Sequence, residues 1–188
     1  YSTRGLAVVA GFNISNTVAN LFNVVFIALG SAISIIVGQQ LGAGRLEEAV
    51  DTDRKMIVFS VFCCFVIGVC MFAIAPFFPR IYNTTEEVRG LAKQFIRIAS
   101  ACMPLYGFMH ATYFTLRSGG RTVITFLFDS VYIWVVDIPL AFVLTRFTGV
   151  PIVSIYLSCQ LIEIIKCIIG YVMVKKKIWV NNMVMEQQ

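Results

Sequence analysis

Three carboxylates lie inside stretches of the sequence that are otherwise strongly apolar: Asp129, Asp137 and Glu163. A charged carboxylate is costly in an apolar environment, so such groups usually hold a proton, bind a cation or meet a partner of opposite charge. Asp137 comes two residues before Pro139, which cannot donate a helical hydrogen bond and therefore leaves the carbonyl of Val135 free. A carboxylate beside a free carbonyl suits a proton or a cation. We therefore predict Asp137 and Glu163 as ion-coupling residues.

Structural roles compete with this interpretation. Glu163 precedes Lys166 by three residues, so a helix would place both on one face, where they can form an internal ion pair. Such a pair would serve packing rather than ion binding. Asp129 lies near the end of its apolar stretch and is expected to be solvated. Both alternatives remain open at the level of the sequence.

Four asparagines form a polar stripe in the first apolar stretch. They are Asn13, Asn16, Asn20 and Asn23. Their spacing of three, four and three residues puts all of them on one face of a helix, within roughly 80°. They either hydrogen-bond to neighbouring helices, which is worth about 0.6 to 2 kcal/mol each, or line an aqueous cavity. On the second interpretation Asn16 and Asn20 are candidate substrate contacts.

A second polar stripe lies in the third apolar stretch. Its members have helical spacing and are Tyr106, His110, Tyr113 and Arg117. His110 is the only histidine, and it serves either as a hydrogen-bonded packing element or as a proton carrier, because imidazole titrates near physiological pH. We predict that Tyr106, His110 and Tyr113 line a substrate cavity. No pattern of catalytic residues or metal ligands occurs in either stripe, so neither a catalytic nor a metal site is predicted.

The elements that position these residues are membrane helices. Of the 188 residues, 59% are hydrophobic and 13% are charged, and the mean hydropathy is +0.83. Soluble domains have about 25% charged residues, so this composition indicates a membrane protein. Each of five apolar stretches is long enough to cross the ~30 Å hydrocarbon core as a helix. The predicted spans are 6–41, 56–78, 91–116, 122–145 and 150–174, in a single all-α transmembrane domain over 1–188.

Charge orients the predicted bundle. Eight basic residues follow the first, third and fifth spans and lie on one side: Arg45, Arg54, Lys55, Arg117, Arg121, Lys175, Lys176 and Lys177. The positive-inside rule makes that side, including the carboxy terminus, cytoplasmic. These residues also account for most of the net charge of +5, so no basic patch is left for a nucleic acid. The first span is too long for a simple crossing and is therefore tilted or extends beyond the membrane.

The remaining reactive groups have simpler explanations. The six cysteines lie inside apolar stretches without a CxxC pair, so we expect buried free thiols. A membrane-bound transferase would need paired acidic motifs on a loop. The acids after the first span are Glu47, Glu48, Asp51 and Asp53. They lack a metal-ligand pattern and resemble a solvated connector, so the chain is not predicted to be an enzyme. Thr84 and Glu87 fit a capping box at the start of the third span.

The stretch VGQQLGAGRLEEA, residues 37–49, closes the first span with three glycines in seven residues. A phosphate-binding loop would follow a short strand, so a helix end is expected here, at Gly42 and Gly44. The stretch resembles the cytoplasmic end of a long helix in the multidrug and toxic compound extrusion (MATE) transporters. The matching residues are Gly38, Gln39, Gly42 and Gly44, then LRSGGRT at 116–122 with Arg117, Gly119 and Gly120, WVVDIPLAFVL at 134–144, and Lys177-Ile178-Trp179.

The resemblance implies a transporter of twelve helices, in which two similar six-helix lobes surround a central cavity. The five spans would be helices eight to twelve of the carboxy-terminal lobe, and the chain a fragment that lacks the amino-terminal lobe. Members of the family are multi-pass proteins of the cell membrane that export cationic amphipathic compounds in exchange for H⁺ or Na⁺, without a cofactor. The implied partners are small cationic substrates, the lipid bilayer and the missing lobe.

The sequence departs from the family at the coupling acids. In the family these lie mainly in the amino-terminal lobe, and in some members on the seventh and tenth helices. The matching segment 91–116 has no Asp or Glu, so Asp137 and Glu163 are candidates from their own setting and not from the resemblance. Two alternatives to a drug antiporter remain. One is a flippase for lipid-linked oligosaccharides, whose cavity should be strongly cationic; the other is a non-transporting scaffold whose asparagine stripe packs against partner helices.

Overall fold

The apolar segments fold into helices, and the all-α prediction is confirmed. The computed structural model describes residues 5–120 and 122–180, which contain no β-strand. The helices are α1 (Leu6–Gly42), α2 (Leu46–Ile74), α3 (Glu86–Ser118), α4 (Thr122–Phe126), α5 (Ile138–Phe147) and α6 (Ile152–Lys175). Two π-helical segments join α4 to α5, so that Val123–Phe147 form one helical stretch, called the fourth stretch below.

α1 is a single helix of 37 residues. At 1.5 Å per residue it is about 55 Å long, well beyond the ~30 Å of a hydrocarbon core, so a membrane-spanning α1 is tilted or extends past the bilayer. It ends at Gly42, and Gly44 follows with a φ of 74°, a left-handed conformation that glycine adopts without strain. The predicted helix end in the glycine-rich stretch is confirmed.

α2 begins ten residues before its predicted span, because the acid-rich connector is itself helical from Leu46 onward. Glu47 and Glu48 occupy its first turn, where the helix dipole favours acidic side chains. The prediction that Asp53 is solvated is wrong, since only 1% of it is exposed. Asp53 lies four residues before the buried Ile57, on the face of α2 that packs into the bundle.

α3 lies at the centre of the described bundle and packs against α1, α2 and α6. Thr85 caps its amino end by accepting a hydrogen bond from the backbone N–H of Val88 at 3.4 Å. The predicted capping box at Thr84 and Glu87 is therefore wrong by one residue. The helix starts at Glu86, so Val88 takes the position at which a capping box requires Glu or Gln.

Within the described residues, four helical stretches are long and apolar enough to cross a membrane: α1, α2, the fourth stretch and α6. α3 has the length but carries more charge, including Arg89, Lys93 and Arg97 in its first half. Because neighbouring helices cover α3, less of its surface needs to be compatible with lipid. That α3 spans the membrane stays a prediction.

α2 and α3 approach closely because glycines face the partner helix. A Cβ atom on Gly68 would lie 2.6 Å from the carbonyl oxygen of Ser100, and one on Gly107 would lie 2.7 Å from Cβ of Cys64. Pro104 cannot donate to the Ser100 carbonyl within α3. The backbone of α2 therefore covers a carbonyl that lacks its usual helical partner, and no side chain fits between the two helices there.

The fourth stretch has the fewest buried side chains. Only 6% of its most apolar window is buried, against 28% for α2. Its centre is π-helical over Leu127–Val131 and Ile133–Asp137, and α-helical geometry resumes at Ile138, just before Pro139. π-Helical turns are uncommon and frequently occur at functional sites. The fourth stretch is thus the part of the bundle with the least packing to restrain it.

The cysteines are less uniformly buried than predicted. Cys64, Cys102 and Cys167 are buried, and no disulfide is formed within the described part of the chain. Cys70 is exposed, so the prediction of a buried thiol is wrong there. It lies on the outer face of α2, beside the exposed Val69, and faces away from α3.

Candidate functional site

Asp137 and Glu163, the two predicted ion-coupling residues, meet between the fourth stretch and α6. Their carboxyl groups lie within hydrogen-bonding reach of each other. Two carboxylates offer only acceptors, so a hydrogen bond between them requires one proton. The Oδ1 atom of Asp137 and the Oε2 atom of Glu163 are buried and have no hydrogen-bond partner among the described residues. The pair can hold and release a proton, and its part in ion coupling stays a prediction.

Lys166 pairs with Asp129, not with Glu163. It is 4% exposed, and its Nζ atom lies 2.8 Å from Oδ1 of Asp129 across the two helical stretches. The rings of Phe128 and Tyr132 lie 5.3 and 5.7 Å from the same Nζ atom. The predicted ion pair within α6 is wrong, because these rings and the Asp129 carboxylate attract the ammonium group to the fourth stretch.

Asp129 is solvated only in part, because it also pairs with Lys166. Its side chain is 45% exposed, but it provides the counter-charge of a buried lysine. Nearby, the hydroxyl group of Tyr132 donates a hydrogen bond to the backbone carbonyl of Ile162 at 2.8 Å. Polar and ionic contacts therefore connect the fourth stretch to α6 along its first half.

A cleft of about 360 Å³ opens between α1, α3, α6 and the first π-helical segment. Its polar lining consists of Asn23, His110, Tyr113, Arg117, Asp129 and Lys166. Phe114 and Phe128 are among the apolar residues that complete the wall. Lys166 also interacts electrostatically with Asp137 and Glu163, so it connects the cleft to the carboxyl pair. Aromatic rings beside a carboxylate can bind an organic cation.

His110 forms part of the cleft wall, and α1 and α3 hold its ring in place. Its Nδ1 atom lies 3.0 Å from the backbone oxygen of Tyr106, so Nδ1 carries the hydrogen, because a carbonyl can only accept. The ring stacks on Phe26 with a centroid distance of 5.1 Å and an interplanar angle of 19°. These contacts are those of a hydrogen-bonded packing residue, and they leave Nε2 to contact a ligand in the cleft.

Of the five predicted cavity residues, His110 and Tyr113 line this cleft, whereas Asn16, Asn20 and Tyr106 do not. Tyr106 faces α6, where its hydroxyl group donates a hydrogen bond to Oε1 of Gln160. Asn16 is half-buried and Asn20 is exposed, and of the asparagine stripe only Asn23 lines the cleft. The helical spacing identifies one face of each helix, but the cleft takes up only part of that face. A role of Asn16, Asn20 and Tyr106 in substrate binding stays a prediction.

The glycine-rich residues that carry the family resemblance lie at the ends of α1 and α3. Gln39 and Gly42 are exposed, and a Cβ atom on Gly38 would meet no atom within 4 Å. A Cβ atom on Gly119 would overlap the backbone oxygen of Trp179, so this glycine lets the chain after α6 pack against the end of α3. Arg117 lines the cleft, whereas Arg121 lies outside the described residues.

Two polar contacts were not predicted. The hydroxyl group of Thr115 donates a hydrogen bond to Oδ1 of the buried Asp53 at 2.6 Å, between α3 and α2. Gln160 accepts a hydrogen bond from Tyr106, between α6 and α3. A signal for Asp53 is its spacing of four from the apolar Ile57, and a signal for Gln160 is its spacing of three from Glu163. Both spacings place the polar residue on a face that packs against another helix.

Comparisons with known proteins point to one family. The MatE family model matches residues 2–143, which is most of the chain. The probable multidrug resistance protein YoeA of Bacillus subtilis (strain 168) is 23% identical over 149 residues, which cover 79% of this chain and 32% of YoeA. The probable multidrug resistance protein NorM of Oceanobacillus iheyensis is 26% identical over 138 residues, covering 70% and 29% of the two chains. That of Halalkalibacterium halodurans is 24% identical over 148 residues, covering 78% and 32%.

The chain spans about a third of the length of these curated relatives. No solved structure matches it. The family match includes Asp137 and ends before Glu163 and Lys166. Together with the four described stretches that are long and apolar enough to cross a bilayer, the match identifies a multi-pass membrane protein. The chain belongs to the MatE family.

Proposed function

We propose that this chain is part of a secondary active transporter that exports cationic amphipathic compounds across the cell membrane in exchange for protons. Membership of the MatE family and the names of three relatives as probable multidrug resistance proteins support efflux. The side on which α1, α3 and α6 end would face the cytoplasm, because Lys and Arg are in excess there. Alternating access would require the amino-terminal lobe as a partner.

The observation that carries the coupling proposal is the contact between Asp137 and Glu163. With one shared proton the two carboxyl groups attract each other, and without it they repel, so protonation changes the contact between the fourth stretch and α6. The fourth stretch has little apolar burial to oppose such a change. A change in this contact would favour one of the inward-facing and outward-facing states over the other.

The small number of oxygen ligands at the pair favours a proton over Na⁺. The other titratable groups that interact with the pair are Tyr106, Asp129, Tyr132, Lys166 and Cys167. The ammonium group of Lys166 lies close enough to affect both carboxyl groups, and its positive charge opposes the binding of any cation, whether a proton or Na⁺. A shared proton forms a hydrogen bond and needs no further oxygen ligands.

The cleft would hold the substrate. Tyr113, Phe114 and Phe128 offer aromatic surface, and the half-exposed carboxylate of Asp129 offers a negative charge. An organic cation at Asp129 would compete with Lys166 for that carboxylate. Substrate binding and the charge balance around the carboxyl pair would then depend on each other, as an antiporter requires.

The flippase alternative receives less support. Its cavity should be strongly cationic, but the two cations of the cleft, Lys166 and Arg117, share it with Asp129, and Lys166 is neutralised by the ion pair. The scaffold alternative needs the asparagine stripe to be covered. Asn23 lines an open cleft and Asn20 is exposed in the described residues.

Transport by the complete protein in proteoliposomes tests the proposal. Efflux of a fluorescent organic cation is followed under a pH gradient alone, a Na⁺ gradient alone and no gradient. Asp137→Asn and Glu163→Gln are compared with Asp51→Asn, which removes an exposed acid on α2. We expect each variant of the pair to lower proton-driven efflux more than tenfold, and Asp51→Asn to leave it unchanged.

Two outcomes would contradict the proposal. Undiminished proton-driven efflux in both Asp137→Asn and Glu163→Gln would remove the pair from coupling. Efflux by the unsubstituted protein that responds to the Na⁺ gradient and not to the pH gradient would show that the coupling ion is Na⁺.

A further inference from the structure

A second and larger cavity, of about 510 Å³, lies on the other side of α3 from the cleft. It is formed where α2 begins and α6 ends, on the side of the bundle that carries the excess of Lys and Arg. Its apolar walls consist of Val50, Ile57, Val58, Val61, Phe108 and Val174. A cavity of this size and composition fits part of an amphipathic molecule, since small-molecule sites measure roughly 300 to 1,000 Å³.

Three basic residues line the mouth of this cavity: Arg54, Lys175 and Lys177. All three are exposed, and none forms a salt bridge within residues 5–120 and 122–180. Lys55, the neighbour of Arg54, forms an ion pair with Asp51 at 2.6 Å and does not line the cavity. Cations without counter-charges beside apolar walls offer a site for an anionic head group.

The chain after α6 holds one of these cations at the cavity. Lys177 has a φ of 53°, the left-handed region that few residues other than glycine adopt. This turn leads the chain back under the bundle, where Trp179 is 1% exposed and also lines the cavity. The buried Trp179 therefore anchors the backbone turn that presents Lys177.

We propose that this cavity binds an anionic phospholipid from the leaflet on the basic side of the bundle, with an acyl chain against α2 and Phe108 and the head group at Arg54, Lys175 and Lys177. The cavity faces outward from α2 and α6, where Val58 and Tyr171 are exposed. A lipid can enter it sideways from the membrane. The proposal does not depend on the transport function or on which ion is coupled.

The charges and the walls exclude other occupants. An organic cation would meet three basic residues that form no salt bridge within the described residues, so the cavity does not suit the substrates proposed for the cleft. The buried Asp53 lies in the wall but already accepts a hydrogen bond from Thr115. A small soluble anion would satisfy the basic residues but leave the apolar walls uncovered, whereas a phospholipid satisfies both.

The complete protein, purified from vesicles of equal parts phosphatidylglycerol and phosphatidylcholine, is analysed by native mass spectrometry, and phosphatidylglycerol is then titrated back. Arg54→Gln and Lys177→Gln are each compared with the adjacent Lys55→Gln and Lys176→Gln, which lose the same charge but do not line the cavity. We expect each cavity variant to lower phosphatidylglycerol affinity about fivefold, the usual effect of one basic residue near a lipid surface. The control variants should change affinity less than twofold.

A second pair of variants distinguishes lipid binding in the cavity from attraction of lipid to the basic surface. Val58→Phe fills the apolar wall without a change of charge, whereas Val66→Phe adds the same volume on an exposed part of α2 outside the cavity. Only the first should lower lipid retention. Equal loss in Lys55→Gln and Arg54→Gln, or equal loss in the two valine variants, would overturn the proposal. So would displacement by inorganic phosphate alone, or lipid binding that appears only after residues 181–188 are removed.

Discussion

Two interfaces of this bundle hold their helices together in opposite ways. α2 and α3 meet at glycines, with the Gly68 backbone against the Ser100 carbonyl and with buried apolar side chains around them. The fourth stretch and α6 meet through ionisable groups: the ion pair of Asp129 with Lys166 and the contact of Asp137 with Glu163. Close packing at glycines is the main feature of the first interface, and contacts between ionisable groups are the main feature of the second.

The two interfaces therefore respond to different changes. The close packing at Gly68 and Gly107 does not depend on protons, so this part of the α2–α3 interface can act as a rigid frame. Contacts between ionisable groups change in strength when a proton or a charged ligand arrives. The fourth stretch also lacks the apolar burial that would fix it in place. A proton-sensitive interface next to a rigid one would suit the alternating access proposed above.

Enlarging a glycine of the α2–α3 interface should have the largest effect on stability. Val at position 68 would put its Cβ atom 2.6 Å from the Ser100 carbonyl oxygen, so the two helices would have to separate. We expect Gly68→Val to lower the free energy of unfolding of the complete protein in detergent by about 3 kcal/mol, the upper part of the range for overpacking. Gly90→Val is the control, because a Cβ atom at Gly90 meets no atom within 4 Å. Equal stability of the two variants would contradict close packing.

Removing the counter-charge of Lys166 should have the next largest effect. Asp129→Asn leaves a buried ammonium group without its carboxylate, and we expect a loss of about 2 kcal/mol. Removing one partner of a fully buried ion pair lowers stability by about 3–5 kcal/mol. The loss expected here is smaller because the Asp129 side chain is 45% exposed.

A double variant and a surface pair complete this test. Asp129→Asn combined with Lys166→Met should recover most of the lost stability, because no buried charge remains. Asp51→Asn, which breaks the exposed pair with Lys55, should change stability by less than about 1 kcal/mol. If the double variant is as unstable as Asp129→Asn, the buried charge is not the cause.

The hydrogen bond between Thr115 and Asp53 tests whether the rigid interface also depends on a polar contact. Thr115→Val keeps the shape and removes the donor to a carboxylate that is 1% exposed, so we expect a loss of about 1.5 kcal/mol. Thr112→Val is a matched control one turn earlier, because the hydroxyl oxygen of Thr112 is buried without a hydrogen-bond partner among the described residues. It should be neutral or slightly stabilising. If a denaturant titration shows that Thr112→Val is less stable than Thr115→Val, the hydrogen bond between Thr115 and Asp53 does not stabilise the interface.

The fold was predictable from the sequence because lipid-compatible length and helix-end residues are local properties. The end of α1 at Gly42 and the helical state of all five apolar stretches required no knowledge of neighbouring helices. Predicting which residues pair with each other did require knowledge of the neighbouring helices. Lys166 has Glu163 one turn away in sequence, yet rings and a carboxylate on another helix determine its position. Asp53 appeared to be one of four connector acids until the packing of α2 on α3 buried it.

The candidate site was predictable in part for the same reason. Polarity inside an apolar stretch identifies residues that need a partner, which is why Asp137 and Glu163 were selected. It does not identify the partner, so their mutual contact was not predicted. Helical spacing likewise placed Tyr106 and His110 on one face of α3, but the angular width of that face covers both the cleft and the contact with Gln160.

The smallest effect on stability is expected where the largest effect on transport is proposed. Asp137→Asn replaces a carboxyl by an amide of the same shape, and its N–H group can donate to Glu163 without a shared proton. The free energy of unfolding should therefore change by less than about 1 kcal/mol, and proton-driven efflux should fall although the protein stays folded. Asp137→Leu offers Glu163 no polar group and should cost about 2 kcal/mol, the usual penalty for an unsatisfied buried acceptor. If Asp137→Asn is as unstable as Asp137→Leu, a loss of efflux would reflect damage to the interface instead of loss of a proton, and the contrast between a rigid and a proton-sensitive interface would no longer hold.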